Sequence, residues 1–336
     1  MSVITVRYGG RACLLGEHCD WAGGSSLTVP LPMGIEFRTE TARSGIALRS
    51  ALDGELIEGH WPIQVSNHHR GPLRFVSAVI AELLEAGFDL VPAEVWVQSD
   101  LPHGRGFSSS AAFTLGLLDS LTRLSGRILP IRELASLAHR AERYRLGVQC
   151  GMLDPAACAA GQPLFITWVP GQNRTMGMNI QRLQPLGTLH LVVAAFNQPR
   201  DTEKILSTLQ ENMKRPVQDP KGDAVREAMT TFSTLAEKGA YAMQNGQVHV
   251  LGTCMDDAQA AYEEHLASHF RSIRAPKLTH TCRSLKQIGA LGAKFTGAGG
   301  DGSVVALFPD ENTARSAAIQ LEDDDLFSWY VPVEAP

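Results

Sequence analysis

Leu101-Pro102-His103-Gly104-Arg105-Gly106-Phe107-Ser108-Ser109-Ser110-Ala111-Ala112 joins a strand pattern to a helix pattern, and the rest of the chain is read outward from it. Upstream, Ala93–Ser99 puts Ala93, Val95 and Val97 on one side, as a half-buried strand does. Downstream, a helix is expected from about Ser108 to Ser125, with Ala111, Leu115 and Leu118 facing inward. Glycines at 104 and 106 let the backbone turn tightly and bring N–H groups close to an anion. The helix start adds unpaired N–H donors and the positive end of the dipole. Ser108, Ser109 and Ser110 offer hydroxyls to phosphate oxygens or to a metal ion. Three known glycine motifs fail here: the G-x-x-x-x-G-K-[ST] loop, G-x-G-x-x-G (at Ser109) and the hydrolase elbow. The plain reading is a serine N-cap after an ordinary loop.

Further along, a helix opening at Pro130 and running to about Leu146 carries its apolar stripe on Ile131, Leu134, Ala138 and Ala141. Glu142 falls near the middle of that stripe, where an ionised carboxylate needs a cation or a metal. A pair with Arg145, one turn on, satisfies it equally well. A hard cation such as Mg²⁺ takes one or two carboxylates and leaves its remaining positions to water and phosphate. Asp154 precedes Pro155, which biases it to extended geometry. It reads either as a turn or N-cap residue before a helix at Ala156–Ala160, or as an acid held beside a reacting hydroxyl.

Toward the N-terminus, Gly10-Arg11-Ala12-Cys13-Leu14-Leu15-Gly16-Glu17-His18-Cys19-Asp20-Trp21 sets small and apolar residues before a knot of polar groups. Glu17, His18 and Asp20 with Trp21 suit a polyol, since carboxylates accept from hydroxyls and an indole packs on a C–H face. The alternative is a solvated hairpin loop ending in Gly23-Gly24. Near the C-terminus, Lys294-Phe295-Thr296-Gly297-Ala298-Gly299-Gly300-Asp301-Gly302-Ser303 lies between two strands. Its glycines serve either close backbone packing or a phosphate pocket.

Composition bounds the class. The chain has 336 residues, 44% of them apolar, enough for two domains with real cores. A net charge of −5 without a basic stripe argues against a general nucleic-acid or membrane-surface binder. No apolar run reaches membrane-span length, and Met1–Tyr8 lacks a signal peptide's pattern. Cys13, Cys19, Cys150, Cys158, Cys254 and Cys282 are scattered, which reads as free thiols in a reducing cytoplasm. Strands are expected at Val3–Tyr8 and Ala12–Leu15 around a Gly9-Gly10 break, in short pieces over Glu36–Arg49, and at Leu189–Phe196, Ala293–Thr296 and Ser303–Phe308. Asp53-Gly54 signals a hairpin turn, and His68-His69 read as surface residues. Helices are expected at Pro72–Ala86, Thr202–Met213, Asp223–Gln244 and Met255–His265, with a domain junction near Pro185. Irregular alternation favours α+β over a doubly wound sheet.

Taken in order, the three glycine-rich segments resemble the GHMP small-molecule kinases. Gly10-Arg11…Gly16-Glu17-His18…Asp20 and Ala141-Glu142…Gly147…Cys150-Gly151…Asp154 are similar to the galactokinase branch, and the motifs span residues 10 to 303. The resemblance implies a two-domain α+β fold: a ribosomal-protein-like ATP-binding domain over 1–185 and a ferredoxin-like domain over 186–336. It implies that Gly104–Ser110 cradle ATP phosphates and that Ser110 with Glu142 hold Mg²⁺. Asp154 would stand at the hydroxyl being phosphorylated with Arg11 nearby, Arg105 would add positive potential, and Glu17, His18 and Asp20 would bind sugar hydroxyls. Cys19 and Trp21 replace the branch's usual Thr and Tyr, Gly9 and Pro155 replace a Pro and a Gln, and Gly300-Asp301-Gly302 departs from the usual last ending. The expected activity is therefore phosphorylation of an aldose, uronic acid or heptose, most readily at the anomeric hydroxyl, by a cytoplasmic monomer or homodimer. A mevalonate-branch kinase and a non-catalytic sugar sensor on the same scaffold are the alternatives.

Overall fold

Strand β1 runs unbroken from Ile4 to Leu15, straight through Gly9-Gly10. The expected break is absent because Gly9 serves close packing instead: a Cβ there would lie 2.7 Å from the Leu31 carbonyl oxygen. The computed structural model describes residues 3–52, 55–61, 74–170, 176–197, 201–322 and 325–334. Asp53-Gly54, His68-His69 and the first two residues of the helix expected at Pro72 lie outside the described residues. The chain divides into two units built from interleaved segments.

The first unit comprises Met1–Gly10, Leu31–His103 and Ser108–Gly161. The later part of β2 (Gly24–Thr41) pairs antiparallel with β5 (Ala93–Ser99), from Ile35↔Ser99 to Thr41↔Ala93. β5 pairs parallel with β3 (Ile46–Leu52), and β3 antiparallel with β4 (Glu55–Trp61). So the short β pieces expected over Glu36–Arg49 are the end of one long strand and the start of another. Among the described residues, helices α2 (Arg74–Glu85), α3 (Ser109–Leu124), α4 (Ile131–Arg140) and α5 (Leu153–Ala160) accompany the sheet. Phe37 and Phe113 meet edge-on at 5.5 Å in the core. Gly116 of α3 admits the Phe37 ring, which a Cβ would approach to 2.1 Å.

The second unit comprises Arg11–Pro30, Gly104–Phe107 and Gln162–Pro336. Here the start of β2 pairs with β6 (Leu164–Pro170), and β6 with β7 (Met176–Arg182). These two strands fall in the weakly periodic stretch where only a junction was expected. Strands β8 (Leu189–Phe196), β9 (Gly292–Thr296), β10 (Ser303–Phe308) and β11 (Leu326–Val333) form an antiparallel sheet in the order β11-β8-β10-β9. The accompanying helices are α1 (Cys19–Ala22), α6 (Thr202–Met213), α7 (Pro220–Gln244), α8 (Val248–Ala261), α9 (Pro276–Gln287) and α10 (Glu311–Leu321). Asp219 caps α7 by accepting from Lys221 N and Gly222 N, with Pro220 in the first turn. Antiparallel pairing dominates and the fold is α+β, as the irregular alternation implies. Among the described residues no helix is long and apolar enough to cross a membrane.

Candidate functional site

The first unit gathers Ser110, Glu142 and Asp154. Helix α4 passes into a π-helical turn at Ala141–Arg145, closed by Leu146 N donating to Ala141 O at 3.2 Å. This wider turn moves Arg145 off the face that Glu142 occupies. Glu142 is buried, and its Oε1 accepts from Thr114 Oγ1 at 3.3 Å and its carboxylate from Ser110. Arg145 instead reaches α2, donating to Glu82 Oε2 at 3.1 Å and to Glu85. Arg140 holds the other Glu82 oxygen at 2.6 Å. The Glu142–Arg145 pair allowed by α-helical spacing is therefore overturned, and the π-turn is the reason.

Asp154 stands second in α5, whose N-cap residue is Met152. The N-cap reading is corrected too: the helix begins one residue before Asp154, which lies half-buried in its first turn. Burial, and then the neighbouring charge of Asp154, push the Glu142 carboxyl up to about 7. The Ser110 and Thr114 hydrogen bonds and the Arg74 charge oppose that rise. Two mutually repelling carboxylates beside a serine hydroxyl are hard oxygen donors, and they fit a divalent cation that completes its coordination with phosphate and water. Among the described residues no three His, Cys, Asp or Glu side chains form a metal cage.

Ser108 precedes α3 with φ 62°, in the left-handed region, and its side chain makes no capping bond. Its buried Oγ has no hydrogen-bond partner among the described residues. An ordinary serine N-cap is extended and bonds its own helix, so that plain reading fails. Gly104 and Gly106 also have positive φ, 68° and 85°. The start of α3 with its serines suits an anion.

In the second unit, Gly104–Phe107 is fixed by side chains of that unit. Arg11 donates from Nη1 to Gly106 O at 2.8 Å and from its amide to Phe107 O at 3.2 Å. Arg105 donates to Asn197 Oδ1 at 2.7 Å, and its guanidinium lies 4.4 Å from the Phe327 ring centroid. Ser303 Oγ donates to Arg105 O, and Phe107 packs edge-on against Trp329. The Arg105 side chain thus anchors the loop while keeping its positive charge there.

Glu17, His18 and Asp20 are all buried, which overturns the solvated-hairpin reading. Gly16 (φ 84°) and His18 (φ 68°) are both left-handed, and α1 follows directly. At Gly16 a Cβ would come within 2.1 Å of Ser25 O, so only glycine fits. Glu17 forms a buried ion pair with Lys294 of β9. Next to it Thr296 Oγ1 accepts from Cys13 N at 2.9 Å and donates to Cys13 O at 3.0 Å, tying β1 to β9. Glu17 Oε2 and Trp21 Nε1 are buried without hydrogen-bond partners among the described residues.

In the last glycine loop, Gly299 (φ 85°) lies where a Cβ would meet the Tyr262 ring at 2.7 Å, and Gly300 N donates to Tyr262 OH at 2.8 Å. For these two residues the packing reading holds. Asp301, one of the departures from the family ending, accepts from Leu278 N at 3.0 Å in the first turn of α9. Sequence reasoning missed Thr114, Asn197, Phe327 and the partner of Lys294. Thr114 alone carried a signal, being one helical turn from Ser110.

A family model for the GHMP kinases N-terminal domain matches residues 74–162, and one for the GHMP kinases C-terminal domain matches residues 240–323. The chain belongs to the GHMP kinase family. GHMP relatives over nearly its whole length include a galactokinase from Pyrococcus furiosus, 27% identical, covering 98% of this chain and 96% of that protein. A mevalonate kinase from Aeropyrum pernix is 26% identical, covering 91% of this chain and 89% of its own length. The crystal structure of Lactococcus lactis galactokinase complexed with galactose superposes with a TM-score of 0.78 at 19% identity. That match covers 99% of this chain and 94% of the other, and it supports the two-domain GHMP fold.

Proposed function

We propose that this GHMP kinase transfers the γ-phosphoryl group of ATP to a monosaccharide hydroxyl, with the anomeric C1 hydroxyl as first candidate. The observation that carries the reading is the carboxylate pair Glu142–Asp154 beside Ser110 at the start of α3. The galactokinase relatives and the buried Glu17, His18 and Asp20 support a sugar as acceptor.

Main-chain amides and hydroxyls of Gly104, Arg105, Gly106, Ser108, Ser109 and Ser110 cradle the phosphates. Ser110 and Glu142 hold Mg²⁺, which when bound neutralises charge on the phosphate oxygens. The sugar oxygen forms a bond to the γ-phosphorus as the bond to the bridging oxygen breaks and ADP leaves. The hydroxyl proton passes to the Asp154 carboxylate. Arg11 acts through its bond to Gly106 O, fixing the loop on which the phosphates rest. Most of the acceleration comes from placement and electrostatics, because charge on the transferred group is spread over its oxygens.

The mevalonate kinase relative favours a second reading, a branched acid alcohol as acceptor. An ATP-consumption screen over neutral aldoses, uronic acids, heptoses and mevalonate, with product regiochemistry by NMR, separates the two. Turnover of a sugar to a 1-phosphate supports the proposal. Turnover of mevalonate alone replaces it, and ligand binding without ATP consumption makes the protein a sensor.

A further inference from the structure

Lys294 is fully buried, at 0% exposure, and Glu17 is 1% exposed. Its ammonium donates to Glu17 Oε1 and to Phe295 O, and lies 4.3 Å from the Phe295 ring centroid. The lysine is therefore held on several sides by its own strand and by Glu17. The Glu17 carboxylate is also met by a main-chain hydrogen bond and the charge of Arg11, yet its Oε2 atom is buried with no hydrogen-bond partner among the described residues. An ion pair serving structure alone gains nothing from a desolvated, empty acceptor, since such an atom costs free energy until something donates to it.

The backbone reinforces the point. Glu17 stands between two left-handed residues, Gly16 and His18, and the Cys13–Thr296 hydrogen bonds pin the strand just before it. Four residues on, the Trp21 indole offers a second unfilled group, a donor rather than an acceptor. Strained geometry held this firmly is the mark of a pre-organised contact.

We infer that Lys294 is a positioning residue for substrate selection: it holds one oxygen of Glu17 so that the other accepts a hydroxyl of the sugar. This rests on the sugar-kinase reading above. Such an acceptor favours a neutral hydroxyl and repels a carboxylate, so the part of the sugar that meets Glu17 is uncharged.

The test is steady-state kinetics of the full-length protein with the neutral aldose it phosphorylates best, comparing Lys294→Met, Lys294→Arg, Glu17→Gln and the double variant Glu17→Gln/Lys294→Met. Thermal unfolding is followed for each. Lys294→Met is expected to raise the sugar KM about tenfold with the ATP KM nearly unchanged, and Lys294→Arg to restore most of it. In the Glu17→Gln background the further loss of Lys294 adds little, because its effect runs through that carboxylate. The double variant removes both charges and so keeps a folded comparison if Lys294→Met does not fold; a sugar KM equal to that of Glu17→Gln then supports the inference, and a further rise overturns it. Equal rises in both KM values, or the same shift in either background, overturn the inference and leave the sugar kinase standing. Failure of every aldose to support ATP consumption by the wild type removes the underlying reading, and the inference with it.

Discussion

At the scale of single residues, Asp154 and Glu142 are two carboxylates in one neighbourhood with different burdens. Asp154 is half-buried in the first turn of α5. Replacing it with Asn keeps its shape and removes its proton-accepting charge. Asp154→Asn is expected to lower kcat by roughly 10²–10⁴-fold while nucleotide binding, measured by fluorescence titration, is retained. Near-normal turnover would remove Asp154 from the reaction.

Glu142 makes a prediction about pH. Its folded-state carboxyl is raised from 4.5 to about 7, chiefly by burial and next by Asp154. The native state therefore holds a proton that the unfolded chain has released across that window. Stability of the ligand-free protein falls as pH rises from about 4.5 to about 7, by roughly 3 kcal/mol from this group. Glu142→Gln should flatten the slope in urea titrations run between those pH values, and should make the protein more stable than wild type at neutral pH while impairing turnover. A variant with the wild-type slope would refute this.

Glu142 was legible in the sequence because a charge inside an apolar stripe is a conflict that helical periodicity exposes. Of its partners, Ser110 was reached only through the family resemblance and Thr114 not at all. Ser110 and Thr114 come from another helix, and no spacing rule relates them to residue 142. Lys294 was hidden for a similar reason, since a lysine in a short strand reads as outward-facing until its partner, 277 residues away, is known.

At the scale of elements, the π-turn decides which way two charges face. By sending Arg145 to α2 it leaves Glu142 to α3, and Glu82 becomes the buried hub between Arg140 and Arg145. Glu82→Gln keeps the volume and weakens both pairs, and it is expected to cost about 1–3 kcal/mol in chemical denaturation, since both arginines are partly solvated. The turn that leads out of β1 is less tolerant. Gly16→Ala combines a left-handed φ with a methyl group 2.1 Å from Ser25 O, so a loss of about 2–4 kcal/mol, or failure to accumulate folded protein, is expected. Helices with regular periodicity, such as 202–213, were readable from sequence to the residue. The π-turn was not, because the same residues spell an uninterrupted α-helix. β1 was misread at Gly9-Gly10, since a glycine required by close packing looks like one required by a turn.

At the scale of the whole molecule, the fold class followed from the order of the motifs, whereas the interleaving of the units did not. Composition and periodicity report neighbours along the chain. That residues 11–30 and 104–107 join the unit otherwise made of 162–336 depends on long-range pairing alone. Saturating Mg²⁺ and ATP should raise the melting temperature of the wild type, as any ligand of the native state does. The gain should be largely lost in Glu142→Gln, measured by calorimetry at fixed nucleotide concentration.

The Cys13–Thr296 clasp has one more consequence, for how the protein is made. Its partners are 283 residues apart, so the N-terminal strand leaves the ribosome long before the segment that fastens it has been translated. Nascent chains arrested before residue 292 should expose residues 11–30 to protease, and release of the finished polypeptide should close that window.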